Sequence, residues 1–290
     1  MKPAPFEYHV AGSVADVVAL LGEHGDDVKA LAGGQSLVPL LALRLTRFPH
    51  LVDLNRVDRL VGINPTDGWL EVGAMTRQAT VERSAEVAAS VPLLSRAVPL
   101  IGHFQIRNRG TIGGSIAHAD PASELPAVAL ALGAELVVSS PAGVRTIPAS
   151  EFFVSTWTTS LGPDELLTTV RFPVWPARHG AAIEEFARRS GDFAITGAAC
   201  AVQLDSADRI TRAGVGLFGM GSTPIRAAAA EAALTGSLVG DIDAEEIGRI
   251  ATADTDPPTD IHAPSGYRRT VGAYMVERAL SRALEEASRD

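Results

Sequence analysis

Residues 103–125 read HFQIRNRGTIGGSIAHADPASEL, and residues 32–36, AGGQS, repeat their central feature, two adjacent glycines just ahead of a serine. Adjacent glycines let successive backbone N–H groups point into one hollow without a Cβ in the way, and such a hollow suits a phosphate. Each glycine pair also runs into an apolar segment. Two loops of this kind predict a site that holds a pyrophosphate from two sides.

Neither loop matches the common nucleotide-binding patterns. GxGxxG is absent from both loops and GxxxxGK[ST] occurs nowhere in the chain. These absences disfavour a Rossmann dinucleotide site and a P-loop NTPase. No G-x-S-x-G elbow is present for a serine triad either.

Composition predicts a globular protein and excludes several classes of partner. At 290 residues and 46% hydrophobic, the chain is long enough for a substantial core and two or three subdomains. No apolar run approaches the roughly 20 residues of a membrane span, and the first residues lack the apolar core of a secretory signal. The net charge of −9 and the scattered basic residues argue against nucleic-acid binding.

The chain has a single cysteine, Cys200, which lies in the apolar run GAACAVQL. A small buried hydrophobic role is expected for it rather than a nucleophilic one. One thiol cannot bind an iron–sulfur cluster, which needs about four, and it cannot form an intramolecular disulfide. We therefore expect a cytoplasmic protein whose iron–sulfur centres, if any, lie in another chain.

The first half of the chain predicts helices and strands around the first glycine loop. Ser13 is a natural N-cap, and Gly25 a natural stop, for an amphipathic helix between them. Strands are predicted at residues 28–31 and 51–54, which makes a small βαβ-like unit with its glycine loop at one edge. Further predicted elements are a hairpin of residues 61–64 and 69–72, and a mainly helical stretch, 76–100, broken at Pro92 and Pro99.

The second half of the chain predicts more strands and then helices. Proline-rich residues 173–176 are the best candidate for a domain boundary. Strands are predicted before this boundary at 135–139, 145–147 and 165–172, and after it at 181–187, 197–204 and 210–217. Three helices follow the last strand, so the C-terminal part is predicted to be an α+β domain.

Four segments in this order resemble one known family: AGGQSLVPLL, IRNRGTIGGSIAHADPASELPA, GDFA at 191–194 and DIHAPSGYRR at 260–269. The family is the FAD-binding medium subunit of the molybdenum hydroxylases, the carbon monoxide dehydrogenase and xanthine dehydrogenase flavoproteins. The resemblance implies an α+β chain with a two-part FAD-binding domain of the vanillyl-alcohol-oxidase (PCMH) type. A smaller α+β C-terminal domain with a three-stranded antiparallel sheet and helices would follow it. The implied division is 1–57 and 58–175 for the two FAD-binding subdomains and 176–290 for the C-terminal domain.

The resemblance also implies which residues bind FAD. The two loops would line its diphosphate, with Ala32, Gly33, Gly34, Gln35 and Ser36 from the first and Thr111, Ile112, Gly113, Gly114 and Ser115 from the second. Leu37 would also bind the cofactor. Glu124 stands where the family has an acidic residue directed toward the sugar of the nucleotide. The alternative role for Glu124 is that of a carboxylate in the first turn of a helix. Arg107 and Arg109 either attract the pyrophosphate or are simply solvated.

Other residues are candidates for the flavin ring and the adenine. Ile101, His103 and Phe193 are expected to border the isoalloxazine ring, because apolar neighbours exclude water from a redox ring. Phe193 stands where relatives often carry tyrosine, so a phenol hydrogen bond would be missing. Leu166 or Leu167 would pack on the adenine, unless they are ordinary buried strand leucines. No catalytic residue and no metal ligand is predicted, and His103 and His118, 15 residues apart, do not have a metal-ligand spacing.

The resemblance implies an oxidoreductase subunit for electron transfer. Non-covalent FAD would receive electrons from [2Fe–2S] clusters in a small iron–sulfur subunit, and a large subunit with the molybdenum cofactor would oxidise the substrate, in a dimer of heterotrimers. The alternatives are a self-sufficient FAD-dependent oxidase or reductase and a non-catalytic nucleotide-binding module. A β-branched residue at Gly33 or Gly113 is expected to empty the site while leaving the fold largely intact.

Overall fold

The amino-terminal unit is a three-stranded parallel sheet covered by one helix. The computed structural model describes residues 2–176 and 178–289. Strand β1 (Glu7–Val10), helix α1 (Val14–His24), strand β2 (Val28–Leu31), helix α2 (Leu37–Ala42) and strand β3 (His50–Asp53) follow one another, and the sheet order is β1-β3-β2. Ser13 accepts a hydrogen bond from the Asp16 N–H at 3.1 Å, and Gly25 with φ 53° ends α1, which confirms the predicted helix.

The middle unit contains a five-stranded antiparallel sheet and a series of short helices. Its sheet order is β4-β5-β10-β6-β7, and a small separate hairpin pairs β8 with β9. Pro92 begins a helix rather than interrupting one, because its missing N–H costs nothing in the first turn. The elements in chain order are β4 (Ile63–Thr66), β5 (Trp69–Gly73), α3 (Gln78–Glu82), α4 (Ala85–Ser90), α5 (Pro92–Ala97), α6 (Phe104–Arg107), α7 (Ile112–His118), α8 (Glu124–Leu132), β6 (Glu135–Ser140), β7 (Gly143–Pro148), β8 (Phe153–Ser155), β9 (Thr158–Thr159) and β10 (Leu166–Pro173).

The C-terminal unit is a four-stranded antiparallel sheet with helices on one face. The predicted three strands are present, but a fourth, β14, pairs with the third through Gly216–Arg226 and Leu217–Ile225. The expectation of three strands is therefore wrong; a strand of two residues is too short to show an alternating pattern. The elements are β11 (His179–Phe186), β12 (Thr196–Leu204), β13 (Ile210–Phe218), β14 (Ile225–Arg226), α9 (Ala228–Leu234), α10 (Ala244–Thr252) and α11 (Ser265–Ala287).

Helix α8 is buried along its whole length between the middle unit and the C-terminal sheet. It approaches β13 at two glycines: a Cβ on Gly214 would lie 2.8 Å from the Ala131 carbonyl carbon, and one on Gly216 would lie 2.9 Å from that of Ala127. Both glycines belong to GVGLFG, residues 214–219, which has the GxGxxG spacing. Because this segment is a strand packed on a helix, its glycines serve close packing and not nucleotide binding.

Among the described residues this arrangement gives three large hydrophobic cores and one small cluster, Ala127, Ala194 and Phe218. The first fills the space between α1 and the parallel sheet, and a second surrounds α8 and reaches the near face of β11 and β12. The third lies between the far face of the C-terminal sheet and helices α9 to α11. Within the described parts of the chain, no helix combines the length and apolarity that a bilayer crossing requires.

Candidate functional site

The two glycine loops lie directly against each other. The first leaves the carboxyl end of β2, and the second begins α7. A Cβ on Gly33 would fall 2.9 Å from the Gly110 Cα and closer still to the Arg109 carbonyl oxygen, while one on Gly114 would fall 3.2 Å from the Ala32 Cβ. Backbone therefore touches backbone where the loops meet, and the fold brings the two predicted motifs into one place.

The first loop presents a row of free backbone donors. In the described structure, no N–H group of residues 32–36 donates a hydrogen bond within the chain. Gly34, with φ 75°, turns the backbone at the centre of the row. The carbonyl oxygens are by contrast engaged, since Asn55 Nδ2 donates to Ala32 at 3.4 Å and Gln35 Nε2 donates to Gly33 at 3.2 Å. Five successive donors without a protein acceptor are a donor set that fits a diphosphate.

Four of the five N–H groups of the second loop already donate inside the protein, whereas the Thr111 N–H has no acceptor among the described residues, and the contact of this loop with a diphosphate stays a prediction. Its N–H groups donate as follows: Ile112 to the Thr76 carbonyl at 3.1 Å, Gly113 to the Ala74 carbonyl at 2.8 Å, Gly114 to Thr111 Oγ1 at 3.0 Å and Ser115 to the Thr111 carbonyl at 3.1 Å. The acceptors at Ala74 and Thr76 lie in the segment after β5. These bonds fix the second loop in place, and it packs against the first loop.

The glycine side of the loops faces protein rather than the hollow. A Cβ on Gly113 would lie 2.7 Å from the Ala74 Cα, and the Cβ on Gly33 would meet the Arg109–Gly110 backbone. A β-branched residue at Gly33 or Gly113 was expected to displace phosphate and leave the fold intact. The physical reason for this expectation is wrong, because the added Cβ would meet protein backbone. Such substitutions would first push apart the packed backbones.

Arg77 and Asn55 connect the two loops to the end of β3. The Arg77 guanidinium donates to Asn55 Oδ1 at 2.5 Å and also to the Arg109 carbonyl oxygen. Burial, and then the charge of Arg109, lower the pKa of Arg77. Asn55 in turn donates to Ala32 in the first loop. Neither Arg77 nor Asn55 was predicted from the sequence, because each follows a strand end with no motif around it.

The two arginines of the approach segment differ in their surroundings. Arg107 donates twice to Glu82, at 2.9 Å each, and to the carbonyl oxygens of Ile101 and Gly102 at 3.1 Å. The donors of its guanidinium are thus used by Glu82 and by the backbone of residues 101–102. Arg109 is exposed and, among the described residues, has no ion-pair partner. Of the two, only Arg109 has a charge available to an anion.

The segments expected at the flavin ring meet at His103. Gly191, with φ 85°, lies so close that a Cβ there would be 2.5 Å from the His103 imidazole Cε1. Ile101 packs on the core around α8, and Phe193, two residues beyond Gly191, is 69% exposed. The GDFA segment and residues 101–103 therefore border one surface. The exposed Phe193 ring is free to cover a ligand there.

Glu124 is the first residue of α8, and its side chain is only 6% exposed. Burial, with smaller contributions from Glu185 and Asp120, raises the pKa of Glu124 to about 8. Burial also raises the pKa of Glu185 to about 7, and Glu185 Oε2 has no hydrogen-bond partner among the described residues. Glu124 thus lies in the first turn of a helix, as the alternative expected, and is protonated at neutral pH; its contact with a sugar stays a prediction.

Leu166 and Leu167 point into two different hydrophobic cores. Each is 4% exposed, Leu166 in the core beside α1 and Leu167 in the core around α8. This placement is that of ordinary buried strand leucines. Both side chains are buried away from solvent, and their packing on adenine stays a prediction.

A cavity of about 1210 Å³ opens between the middle unit and the loops of the C-terminal unit. Phe193, Asp120 and Trp157 line it. Trp157 has a positive φ of 56°, and its Nε1 donates to Asp120 Oδ2 at 3.2 Å. A strained aromatic in a two-strand turn carries no sequence signal, so Trp157 was missed.

His118, the last residue of α7, lies beside the cavity residue Trp157. Its imidazole is parallel to the Trp157 ring, with centroids 6.3 Å apart. Burial is the main cause that lowers the pKa of His118, Lys29 on β2 lowers it further, and Asp120 raises it. His118 thus connects the end of α7, which begins in the second glycine loop, to the cavity beside Phe193.

Comparison with known proteins places both parts of the chain. Residues 4–175 match the family model of the FAD binding domain in molybdopterin dehydrogenase, and residues 181–283 match that of the CO dehydrogenase flavoprotein C-terminal domain. The chain is 46% identical to the 6-hydroxypseudooxynicotine dehydrogenase complex subunit alpha of Paenarthrobacter nicotinovorans, over 99% of this chain and 97% of that protein. It is 38% identical to the carbon monoxide dehydrogenase medium chain of Afipia carboxidovorans, over 99% of each.

A solved structure gives the same result for the fold. Carbon monoxide dehydrogenase from Hydrogenophaga pseudoflava, in a form that lacks the Mo-pyranopterin moiety of its molybdenum cofactor, superposes with a TM-score of 0.96 at 39% identity, over 99% of both chains. The predicted fold class and family resemblance are thereby confirmed. The chain belongs to the family of FAD-binding medium subunits of the molybdenum hydroxylases, the carbon monoxide dehydrogenase and xanthine dehydrogenase flavoproteins.

Proposed function

We propose that this chain relays electrons from the iron–sulfur clusters of a small partner subunit to an external acceptor, through FAD held on the two glycine loops. The observation that carries the proposal is the row of five free N–H groups at residues 32–36. The loop that carries these donors is held in place without a ligand, because the second loop packs against it and Asn55, held by Arg77, donates to its Ala32 carbonyl oxygen. An anion there would not need to reorder the backbone, which lowers the cost of binding.

The chain's own residues would bind and shield the cofactor, which supplies reversible uptake of one or two electrons. Ala32, Gly33, Gly34, Gln35 and Ser36 would hold the diphosphate, with Leu37 beside them and Thr111 to Ser115 as their support. Ile101, His103 and Phe193 would exclude water from the ring. Glu124 would meet the sugar as a hydrogen-bond donor, since it is protonated at neutral pH. Within the subunit we assign residues 1–57 and 58–175 to the cofactor and 176–290 to the C-terminal domain.

Partner chains would carry the remaining chemistry. Cys200 is buried in β12, and burial raises the pKa of its thiol to about 12, so it is unsuited as a ligand. A cluster-bearing small subunit and a large molybdenum subunit would therefore supply the electrons, in a dimer of heterotrimers. A similar protein is named as one subunit of a dehydrogenase complex, which supports this assembly. A single reduced cysteine also suits a cytoplasmic location.

The test is to purify the chain alone and together with its two candidate partners. We expect the lone chain to be yellow, to release FAD on acid denaturation, and to show no flavin bleaching with organic substrates. Bleaching should appear only when both partners are present. Release of FMN alone, or a colourless protein that cannot be reconstituted with FAD, would contradict the cofactor proposal. Bleaching of the lone chain by an organic substrate would favour the self-sufficient oxidase or reductase.

A further inference from the structure

Three histidines from separate elements meet beside the amino-terminal sheet. His9 lies in β1, His24 is the last residue of α1, and His50 is the first residue of β3. The strands are parallel, and Glu7 lies opposite His50 in the register. His50 starts its strand, whereas the first glycine loop follows the end of β2, so this histidine cluster lies at the other end of the sheet from the candidate FAD site.

The imidazole nitrogens of this cluster are close enough to share one ligand. His9 Nε2 and His50 Nδ1 are 3.1 Å apart, and one nitrogen from each of the three rings lies within 4.8 Å of the other two. The His24 ring stacks on the His50 ring, with centroids 3.9 Å apart. All three residues are partly buried, so their rings are restrained by the fold but remain reachable from solvent.

The chemistry of the cluster matches one class of ligand. Three imidazoles with one carboxylate nearby, Glu7 Oε2 at 3.5 Å from His50 Nδ1, are donors that Zn²⁺ and similar divalent transition metals prefer. In a tetrahedral zinc site with Zn–N bonds of about 2.05 Å, two ligand nitrogens are about 3.3 Å apart. The separation of 3.1 Å between His9 and His50 is close to this value.

We propose that His9, His24 and His50 form a Zn²⁺ site that fastens α1 to strands β1 and β3, with Glu7 or a water molecule as the fourth ligand. Coordination requires the His24 ring to turn about its Cβ–Cγ bond, from stacking on His50 to pointing its nitrogen at the metal. His24 stands at the end of its helix, and Gly25 beside it has no side chain to obstruct the turn. The role of the site is structural, because it joins three elements that are separate along the chain. It lies at the end of the sheet opposite the first glycine loop.

The test uses the untagged full-length chain, titrated calorimetrically with ZnCl2 after treatment with a chelator. We expect one Zn²⁺ per chain, and X-ray absorption should report three imidazole ligands. The Tm should rise by about 5 °C when free Zn²⁺ exceeds Kd a hundredfold. MgCl2 should cause no shift, since Mg²⁺ prefers oxygen ligands.

Two variants identify the ligands. His24→Gln should weaken Zn²⁺ binding at least tenfold while the Tm without metal stays near that of the wild type, because the residue is only partly buried at the end of α1. His262→Gln, which changes an exposed histidine outside the cluster, should bind Zn²⁺ like the wild type. Absence of stoichiometric binding, or equal affinity in His24→Gln and wild type, would overturn the proposal. FAD content, measured on the same samples, separates this result from the proposed flavin function.

Discussion

Replacing Gly33 with alanine separates two reasons why a glycine stands in the first loop. If its Cβ would intrude on a ligand, the variant should fold normally and lose only the cofactor. The structure instead places this Cβ 2.9 Å from the Gly110 Cα, where ordinary contact begins at 3.4 Å. We therefore expect the substitution to damage the packing between the two loops even when no cofactor is bound.

The size of the effect follows from that overlap. The loops must separate by at least 0.5 Å, the difference between 3.4 and 2.9 Å, in a region where backbone meets backbone. Overpacking of this kind costs about 1–3 kcal/mol, which corresponds to a fall in Tm of roughly 2–5 °C for a chain of this size. Alanine has no advantage here that would offset the overlap, since the neighbouring atoms are not flexible side-chain ends.

The assay is calorimetric unfolding of the cofactor-free protein, followed by measurement of FAD uptake. Gly240→Ala is the matched control, because a Cβ there has no neighbour within 4 Å and its φ is not in the left-handed region. The control should keep the wild-type Tm and bind FAD. A Gly33→Ala protein with an unchanged Tm and no FAD binding would refute the reasoning from loop packing.

Three further predictions concern other parts of the chain. The pKa of Glu124 in the folded protein is about 8, above its ordinary value of 4.5, so the free energy of unfolding should fall as the pH rises from about 4.5 to 8. Glu124→Gln should remove about 2–4 kcal/mol of this fall, as measured by urea unfolding across that pH range. Arg96→Ala breaks a two-bond pair with Glu286, at 2.5 and 2.6 Å, and should lower the unfolding free energy by about 1 kcal/mol in urea, while Glu286→Gln alone should cost a similar amount. Phe193→Tyr should leave the Tm and FAD content unchanged, because the side chain is exposed, and should shift the flavin potential in a redox titration; an unchanged potential would remove Phe193 from the ring surroundings.

Local sequence signals predicted the parts of the fold that local chemistry determines. Helix α1 begins after Ser13 and ends at Gly25 as expected, and the two glycine pairs lie against each other as their similarity indicated. Strand β1 was missed because its side chains are mostly exposed and show no alternation. A strand held only by pairing with β3 has no pattern of its own to detect.

The use of the glycine loops was not predictable from the motifs. Whether a backbone N–H is free depends on acceptors elsewhere in the chain, and Thr76 and Ala74 take the donors of the second loop from a different segment. For the same reason Arg107 was a candidate for the pyrophosphate in the sequence but is bound to Glu82 in the fold. Composition identifies which groups exist, whereas tertiary contacts decide which remain available.

The burial of α8 on all sides has a consequence for how the protein unfolds. Every residue of α8 is buried, so removal of either neighbouring unit would expose one of its faces to water. A fragment that ends near residue 175 would leave the helix face beneath Gly214 and Gly216 open to water, and such a fragment should aggregate rather than behave as a miniature of the whole. Residues 173–176 thus separate the two halves in sequence only. We expect both halves to unfold together in one cooperative thermal transition.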